Sequence, residues 1–354
     1  MPSNRPTLAD VATAAGVSVS TASLAFSGAG PIAPETRDRV HAAAAELGYA
    51  GPNPLGRSLR SGRSGIVAVV IGDQLRRSFR DPVSIQVLDG LVGALGTMGL
   101  GVLLVPATAA EDGSLQVDPL LASAPMDVAV LIWGVRNGDP TLTALLHRGI
   151  PLVIGEGPHI DDIPVVGIQD RRGTAALVEH LKDLGHTRIA TVTLPLRHPR
   201  RAGVVGPDRL AEVDWIPTAH RLEGMRDAGV TPTVIVETAG SLVEEGQVAG
   251  RTVLDVADPP TAVVAQSDLL AAGVLIAARD LGLRVPQDVS VAGFDGLDLP
   301  WLAPHVLTTV VQPLAAKGEA IAHAVQQLLA GQVPPAVELE VELRIGTTTG
   351  PPRR

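Results

Sequence analysis

Apolar residues recur at helical spacing in the first fifty residues of the chain, and turn signals divide them into short segments. Residues 7–15 carry an apolar face behind a threonine that is placed to cap a helix, so they predict a first helix. Gly16 and Val17 form a turn after it. Ser18 is then placed to cap a second helix over residues 19–26.

A third helix is predicted over residues 34–47, because Pro34 suits a first helical position and an apolar stripe follows it. Two short helices joined by a glycine turn, with a third covering them, are the helix-turn-helix arrangement. In that arrangement the first residues of the second helix meet base edges in the major groove. Any small three-helix bundle with capped ends would show the same pattern, so the pattern alone leaves both interpretations open.

From Gly65 onward, short β-branched runs alternate with helical segments. The predicted strands are residues 66–71, 102–105, 128–132, 152–154, 165–168, 189–194, 233–236, 262–265 and 289–293. The predicted helices are residues 85–95, 174–184, 221–228, 244–254, 269–281 and 314–329. Continuous apolar strands with crossover helices predict an α/β fold of doubly wound parallel sheets covered on both faces. About 280 residues exceed what one such sheet usually holds, so two lobes are expected.

Composition narrows the class of protein. The chain is 45% hydrophobic and 18% charged, which suits a large buried core. It has no cysteine, which excludes thiol catalysis, disulfides and cysteine-bound zinc. We find no secretory leader and no uninterrupted run of about 18 apolar residues, so a soluble cytoplasmic protein without a membrane partner is expected.

Charge is unevenly distributed along the chain. The net charge is -9, yet residues 1–64 hold six arginines against four acidic residues. The remainder holds 22 basic and 33 acidic residues, a net charge of -11. A basic N-terminal segment on an acidic body favours contact of that end with a polyanion. The excess is small, so an ordinary solvated surface is also compatible with it.

Polar and aromatic residues follow several predicted strands. Ligands of open α/β sheets collect at the carboxyl ends of strands, and in a two-lobed protein they bind in the cleft. The candidates at such ends are Trp133, Asp170, Ser267, Asp268 and Asp295. Asp170, Ser267 and Asp268 also precede helices, so helix capping is the alternative for them.

The segments TLADVATAAGVSVSTAS, PETRDRVHAAAAELGY and PNPLGRSLRSGRSGIVAVV resemble the lactose-repressor (LacI) family of transcriptional regulators. GIQDRRGTAALVEHLKDLGHTRIA, HRLEGM and SDLLAAGVLIAARDLGLRVPQDVSVAGFDG extend this resemblance over nearly the whole chain. It implies a head of residues 1–51, a hinge of residues 52–64 and a two-lobed ligand-binding and dimerisation domain of residues 65–346. Lobe 1 would comprise residues 65–168 and 304–332, and lobe 2 residues 169–303 and 333–346.

The resemblance also implies site residues. DNA contacts are expected from Thr7, Ser18, Val19, Ser20, Thr21, Ser23 and Leu24 in the head and from Asn53, Arg57 and Leu59 in the hinge. Leu59 would be the apolar wedge that partly unstacks a base step in the minor groove. In the cleft, Arg221 would donate across the lobes to ligand oxygens, and Asp295 would contact the effector. Trp133, Asp170, Ser267 and Asp268 complete the expected ligand-binding set.

The chain departs from the family pattern at several positions. Leu24 stands where an arginine is frequent, and Ala33 replaces the usual capping serine. Ser267 stands where asparagine is common, which removes an amide contact with the ligand. Residues 196–216 are longer than the usual connection and are either a lid that carries Trp215 or a mobile surface loop.

The sequence thus predicts a homodimeric transcription regulator, expected to be a repressor, that binds a pseudo-palindromic double-stranded operator. A small effector, expected to be a sugar or a sugar derivative, would control it from the cleft. The alternative is a solute-binding protein without a DNA-binding function. Gly93–Gly101 does not match the dinucleotide fingerprint, and the histidines lack metal-ligand spacing, so no enzyme activity, cofactor or metal is expected.

Overall fold

The structure is a computed structural model that describes residues 6–27, 30–51, 62–106, 108–109, 115–136 and 138–353. The chain divides into two units, residues 1–65 and 66–354. Three of the expected DNA contacts, Asn53, Arg57 and Leu59, lie outside the described residues.

The first unit contains α1 (Leu8–Ala15), α2 (Val19–Ser27) and α3 (Pro34–Leu47). Small apolar side chains such as Val11, Ala22 and Val40 form its core and are almost fully buried. Because alanines dominate that core, the helices can approach one another closely. The three predicted helices are present within one residue of their expected ends.

Local capping sets where these helices begin and end. At the start of α1, Thr7 and Asp10 form a reciprocal capping box, with 2.7 Å between the Thr7 backbone nitrogen and an Asp10 carboxylate oxygen. Gly16 ends α1 with a φ of 65°, which only glycine adopts without strain. Ala33 makes no side-chain cap at the start of α3.

The strands of the second unit are β1 (Ile66–Ile71), β2 (Gly101–Pro106), β3 (Thr108–Ala109), β4 (Leu115–Gln116), β5 (Val128–Ile132), β6 (Leu152–Gly155), β7 (Val165–Ile168), β8 (Ile189–Thr193), β9 (Gly203–Val204), β10 (Ile235–Glu237), β11 (Ala262–Ala265), β12 (Ser290–Asp295), β13 (Thr308–Val311), β14 (Val337–Leu339) and β15 (Glu342–Arg344). Most of them form two large sheets. The first has the order β14-β7-β6-β5-β1-β2 and is parallel throughout. The second has the order β15-β13-β12-β11-β8-β10-β9, with antiparallel strands at its two edges and parallel pairing between them. These sheets form lobe 1 and lobe 2, as the α/β interpretation predicted.

The described helices of this unit are α4 (Leu75–Ser78), α5 (Pro82–Thr97), α6 (Pro119–Ser123), α7 (Pro140–His147), α8 (Asp170–Asp183), α9 (Pro207–Ala211), α10 (Ile216–Asp227), α11 (Val243–Leu254), α12 (Asp268–Asp280) and α13 (Leu314–Leu329).

Helices cover both faces of each sheet, so the central strands are buried and apolar. In lobe 1, α5 and α13 pack on one face, while α6 and α7 pack on the other. In lobe 2, α11 and α12 oppose α8 and α10. The helices α5 and α13 approach so closely that a Cβ on Gly318 would lie 2.2 Å from the carbonyl oxygen of Val87.

Two of the crossings between the lobes differ from the expected boundaries. Strand β13 belongs to the sheet of lobe 2, so the chain crosses after Val311 rather than near residue 303. Strand β14 pairs with β7 in lobe 1, so the next crossing follows Leu339 rather than residue 333. These two boundaries were implied by the family resemblance, and no strand was predicted from the sequence for β13 or β14.

Within the described part of the chain, no single helix is long and apolar enough to cross a membrane. The pair α1 and α2, bent by 103°, reaches that length and apolarity only when both helices are counted together.

Candidate DNA-binding surface and ligand cleft

The exposed start of α2 carries a cluster of hydroxyl groups. The Ser18 Oγ accepts a hydrogen bond from the backbone nitrogen of Thr21 at 3.0 Å and so caps the helix. It also lies 2.7 Å from the Ser20 Oγ and 2.8 Å from the Thr21 Oγ1. These hydroxyls can donate to phosphate or base acceptors, and the adjacent helix N-terminus favours an anion.

Apolar side chains flank this cluster on the same helix. Val19 is 51% exposed, and Leu24 is exposed as well. An exposed apolar side chain beside hydroxyls can contact thymine methyl groups, whereas it supplies no bidentate donor for guanine. Thr7 is exposed but engaged in the α1 cap, and Ser23 is half-buried.

A cleft of about 780 Å³, including the space open to solvent at its mouth, lies between the two sheets of the second unit. Both lobes contribute to it at the carboxyl ends of their strands. Its lining includes four of the expected residues, Trp133, Arg221, Ser267 and Asp295. The size is typical of a site for a small molecule.

Arg221 is held firmly from lobe 2. It lies on α10, is buried, and donates from Nε to the Asp170 Oδ1 at 2.7 Å. It also donates from Nη1 to the carbonyl oxygen of Gln266, and its guanidinium lies 3.7 Å from the centre of the Phe294 ring. Asp170 is absent from the cleft lining, so it positions Arg221 from behind rather than facing a ligand.

Asp295 ends β12 in a strained backbone conformation, with a φ of 130°. Its Oδ1 accepts from the Gln312 Nε2 at 2.7 Å, and its Oδ2 accepts from the backbone nitrogen of Asp268 at 3.3 Å. Burial raises the pKa of Asp295 well above its usual value, and the neighbouring Asp268 adds to that rise, although Arg221 opposes it. A neutral Asp295 carboxyl group can donate as well as accept a hydrogen bond.

Asp268 and Ser267 have different roles. Asp268 is fully buried behind the cleft, where its two carboxylate oxygens accept from the Thr309 Oγ1 at 2.5 Å and the Leu297 backbone nitrogen at 2.7 Å. Burial raises its pKa to about 6. Ser267 lines the cleft and also caps α12 through the backbone nitrogen of Leu270, so the capping alternative holds for it together with the cleft position.

A buried ion pair in lobe 1 was missed from the sequence. Glu156 follows β6, and its Oε1 lies 3.1 Å from the Lys317 Nζ on α13. The Glu156 Oε2 accepts from the Trp133 Nε1 at 2.6 Å. Burial favours a higher pKa for Glu156, but Lys317 and Arg221 outweigh it, so the pKa lies below its usual value.

This ion pair joins the two lobes through one further residue. Lys317 also donates to the Gln312 Oε1 at 2.6 Å, and Gln312 reaches Asp295. Trp133 and Glu156 each have a φ of 55°, so strain and polar contacts converge at the floor of the cleft. A strand-end signal existed for Glu156, since it directly follows LVIG, but nothing local in the sequence signals Lys317.

The rim of the cleft carries ion pairs between the lobes. Arg77 on α4 donates from Nη2 to both carboxylate oxygens of Glu245 on α11, at 2.7 and 3.0 Å. Arg200 reaches back from lobe 2 to Asp73 at 2.8 Å. These residues line or border the cleft and were not among the expected set. Among the described residues, no cluster of histidine and acidic side chains could hold a metal ion.

Comparison with known proteins agrees with this architecture. The model of the bacterial regulatory proteins of the lacI family matches residues 7–53, and a periplasmic binding protein-like domain matches residues 178–349. An HTH-type transcriptional regulator of Mycobacterium tuberculosis is 32% identical over 361 residues, covering 99% of each chain. The chain belongs to the LacI family.

Two solved structures extend the comparison. A complex of the transcriptional regulator CelR with cellobiose has a TM-score of 0.69 at 28% identity and covers 97% of this chain and 100% of its own. The lac repressor dimer bound to operator and an anti-inducer has a TM-score of 0.80 at 24% identity, and the match covers 98% of this chain and 100% of the repressor chain. The likeness to the lac repressor structure supports the assignment of the fold.

For this LacI-family chain, the structure divides the expected cleft residues into two groups. Trp133, Arg221, Ser267 and Asp295 face the same space, whereas Asp170 and Asp268 lie behind it as supports. The chain is thus a transcription regulator with a DNA-binding head and a periplasmic-binding-protein-like body. Its relatives include HTH-type transcriptional regulators.

Proposed function

We propose that this regulator is a homodimeric repressor whose affinity for its operator is controlled by a neutral, polyhydroxylated ligand in the cleft. Two features of the cleft together support this class of ligand, namely the tryptophan side chains in its lining and the charged groups that are already paired within the protein. Trp133 and Trp215 both line the cleft. Arg221 and Glu156 also line it, and each is already paired with an oppositely charged protein group.

A ligand with a net charge would leave one of these paired groups unbalanced in a partly dry site, which is costly. Hydroxyl groups can both donate and accept, so they suit Asp295, Ser267 and the free donors of Arg221. The apolar face of a sugar ring suits a tryptophan. The CelR structure contains cellobiose, and this supports a saccharide as the first class to test.

An exposed apolar stripe supports the dimer. Ile85 and Val92 are two turns apart on α5 and are 46% and 45% exposed, and Phe79 nearby is 53% exposed. Exposed apolar patches of this kind favour association between chains. A dimer would present two copies of α2 to a two-fold symmetric operator, and the bound protein would obstruct transcription there.

The test begins with selection of genomic fragments by the purified full-length chain at near-physiological salt. Enrichment of a two-fold symmetric site is the expected result, whereas failure of every fragment to enrich would favour a solute-binding protein. The enriched site is then placed before a reporter gene. Deleting the regulator should raise expression, and a fall would contradict repression.

Ligand control is tested by titrating cellobiose, and then a panel of neutral mono- and disaccharides and polyols, against the operator complex. A coupling of about 1–3 kcal/mol is typical, which changes operator affinity about 5- to 150-fold. Arg221→Ala and Asp295→Ala should abolish this response and leave binding of the unliganded protein to the operator intact. A retained response would remove these residues from the ligand site.

The hinge assignment has its own test. By resemblance, Leu59 enters the minor groove, so Leu59→Ala should weaken operator binding without changing ligand affinity. Equal operator affinity of the two proteins would contradict the wedge.

A further inference from the structure

Residues 196–216, termed the insertion, are fixed to lobe 2 at their base. The carbonyl oxygen of Leu196 accepts from the backbone nitrogens of Asp214 and Trp215, both at 3.1 Å, so the two ends of the insertion meet. The buried Glu237 accepts from the backbone nitrogen of Leu196 at 2.9 Å and from two nitrogens of Arg209 at 2.9 and 2.7 Å. Within the insertion, β9 also pairs with β10. The insertion therefore moves with lobe 2.

The other side of the insertion contacts lobe 1. The Arg200 Nη2 donates to the carbonyl oxygen of Gly72 at 2.9 Å, and its Nη1 donates to the Asp73 Oδ2 at 2.8 Å. Both acceptors directly follow β1. A Cβ built on Gly134, which follows β5, would lie 3.4 Å from the ring of Trp215. The insertion thus crosses the mouth of the cleft and contacts lobe 1 at the carboxyl ends of the neighbouring strands β1 and β5.

Arg200 is the point at which these contacts meet. Its guanidinium lies 5.1 Å from the centre of the Trp215 ring, and its Nη1 also donates to the carbonyl oxygen of Ala239 in lobe 2 at 3.2 Å. Its side chain is only 16% exposed. A single, partly buried guanidinium therefore joins the insertion, its own lobe and the opposite lobe.

The contact continues along the rim of the cleft. Asp73, which binds Arg200, also lies 3.4 Å from the Arg77 Nε, and Arg77 pairs with Glu245 of lobe 2. Asp73 thus stands between two arginines, each of which is bonded to lobe 2. Removing either partner of this carboxylate weakens the fastening of the lobes on that side.

We propose that the insertion is a latch over the ligand cleft and that Arg200 is the residue that fastens it to lobe 1. Trp215 and Arg200 line the cleft, so the insertion adds a wall that neither sheet provides. A ligand between the lobes leaves only after Arg200 releases Gly72 and Asp73. This inference rests on the proposed function in one respect, namely that the cleft holds a ligand.

The absence of cysteine from the chain permits a direct distance measurement. Spin labels are attached to Val204→Cys in the insertion and Leu146→Cys on α7 of lobe 1, both of which are exposed. A second pair, Val204→Cys with Val248→Cys on α11, lies within lobe 2. Pulsed electron resonance on the full-length protein without ligand or DNA gives both distance distributions, so the result does not depend on the proposed function.

Arg200→Ala should move the distribution between the insertion and lobe 1 to longer distances. Charge-assisted bonds are the stronger class of hydrogen bond, and two are lost, so the ratio of short to long distances should fall about tenfold or more. The pair within lobe 2 should not change. An unchanged distribution between the insertion and lobe 1 would overturn the latch, as would a change in both distributions, which would show that the insertion has unfolded instead.

Two further variants keep the test decisive. Arg197→Ala is the matched control, because Arg197 lies on the insertion but pairs with Glu212 within it and should leave both distributions unchanged. Asp73→Asn reaches the same contact from lobe 1 and should lengthen the same distance even if Arg200→Ala folds poorly. Combining Asp73→Asn with Arg200→Ala should add less than the sum of the single effects, whereas simple additivity would contradict a shared contact.

If cellobiose or another saccharide of the panel binds, its dissociation rate provides the functional measurement. Arg200→Ala should speed dissociation about tenfold or more and change association little, while Arg197→Ala should change neither. Equal dissociation rates in the wild-type and Arg200→Ala proteins would overturn the latch. A protein that binds no operator but still shows the distance change would contradict the proposed function and leave the latch intact.

Discussion

Replacing Lys317 by methionine tests the ion pair at the floor of the cleft. Lys317 and Glu156 have side chains only 2% and 5% exposed, and the amine lies 3.1 Å from the Glu156 Oε1. Methionine keeps most of the length of the side chain but leaves the carboxylate with Trp133 as its hydrogen-bond donor. Removing one partner of a buried pair costs about 3–5 kcal/mol, because the remaining charge is neither solvated nor paired.

For a unit of this size, each kcal/mol shifts the melting temperature by about 2–4 °C, so the second unit of Lys317→Met should melt roughly 10 °C lower. Glu156→Gln in the Lys317→Met background removes the unpaired charge and should recover much of the loss. Lys182→Met is the control: this lysine is exposed on α8 and donates to one carbonyl oxygen, so it should cost at most about 1 kcal/mol.

The pH dependence gives a sharper test of the same pair. In the wild type the pKa of Glu156 is lowered, so its contribution to stability is present above the pKa of the unfolded chain and is lost as pH falls through the folded pKa. Without Lys317, burial should raise that pKa instead, so the variant loses stability as pH rises from about 4 towards 7. The melting temperatures of the wild type and of Lys317→Met are measured by calorimetry across this pH range. A constant difference between them would refute the reasoning, as would a double variant that is less stable than Lys317→Met.

Further predictions concern the cleft wall and the helix caps. Burial raises the pKa of Asp81, which caps α5, to about 6, so ionisation of this carboxyl lowers the stability of the folded protein as pH rises from about 4 to 6. Asp81→Asn should remove up to about 3 kcal/mol of that loss, so the melting temperature of the variant should depend less on pH over this range. Ala33→Ser should raise the stability of the head by about 1 kcal/mol by supplying the missing cap, and Thr7→Ala should lower it by a similar amount, both measured by thermal melting of the helical signal; no change in either would contradict the capping role. Gly72→Ala should abolish ligand binding in a titration, since its Cβ would lie 1.3 Å from the carbonyl oxygen of Trp133, and unimpaired binding would contradict the close approach of the two strand ends.

Much of the fold was predictable because it depends on short-range patterns. The strands β1, β5, β7 and β11 were predicted with their observed ends, and α13 was as well. Each is a strongly apolar or strongly periodic run bounded by turn residues, so local free energy and burial favour the same structure. The weakly patterned edge strands β14 and β15 were missed, because the neighbouring strand rather than their own sequence stabilises them.

The candidate site was predictable only in part. Trp133, Arg221, Ser267 and Asp295 were expected in the cleft from strand ends and from family resemblance, and the structure places them there. The sequence left the insertion as either a lid or a mobile loop. Its placement over the cleft depends on Glu237 and Arg200, whose partners lie far away in the chain.

The sequence by itself determined the order of the elements, the capped helices of the head and the membership of the LacI family. The tertiary structure alone decided which polar groups meet. Lys317 reaches Glu156 across 161 positions of sequence, and Arg200 reaches Asp73 across 127, only because the sheets and helices between them pack as they do. A buried charge requires a partner, but its own sequence neighbourhood does not specify which group supplies it, since that depends on how distant elements approach in three dimensions.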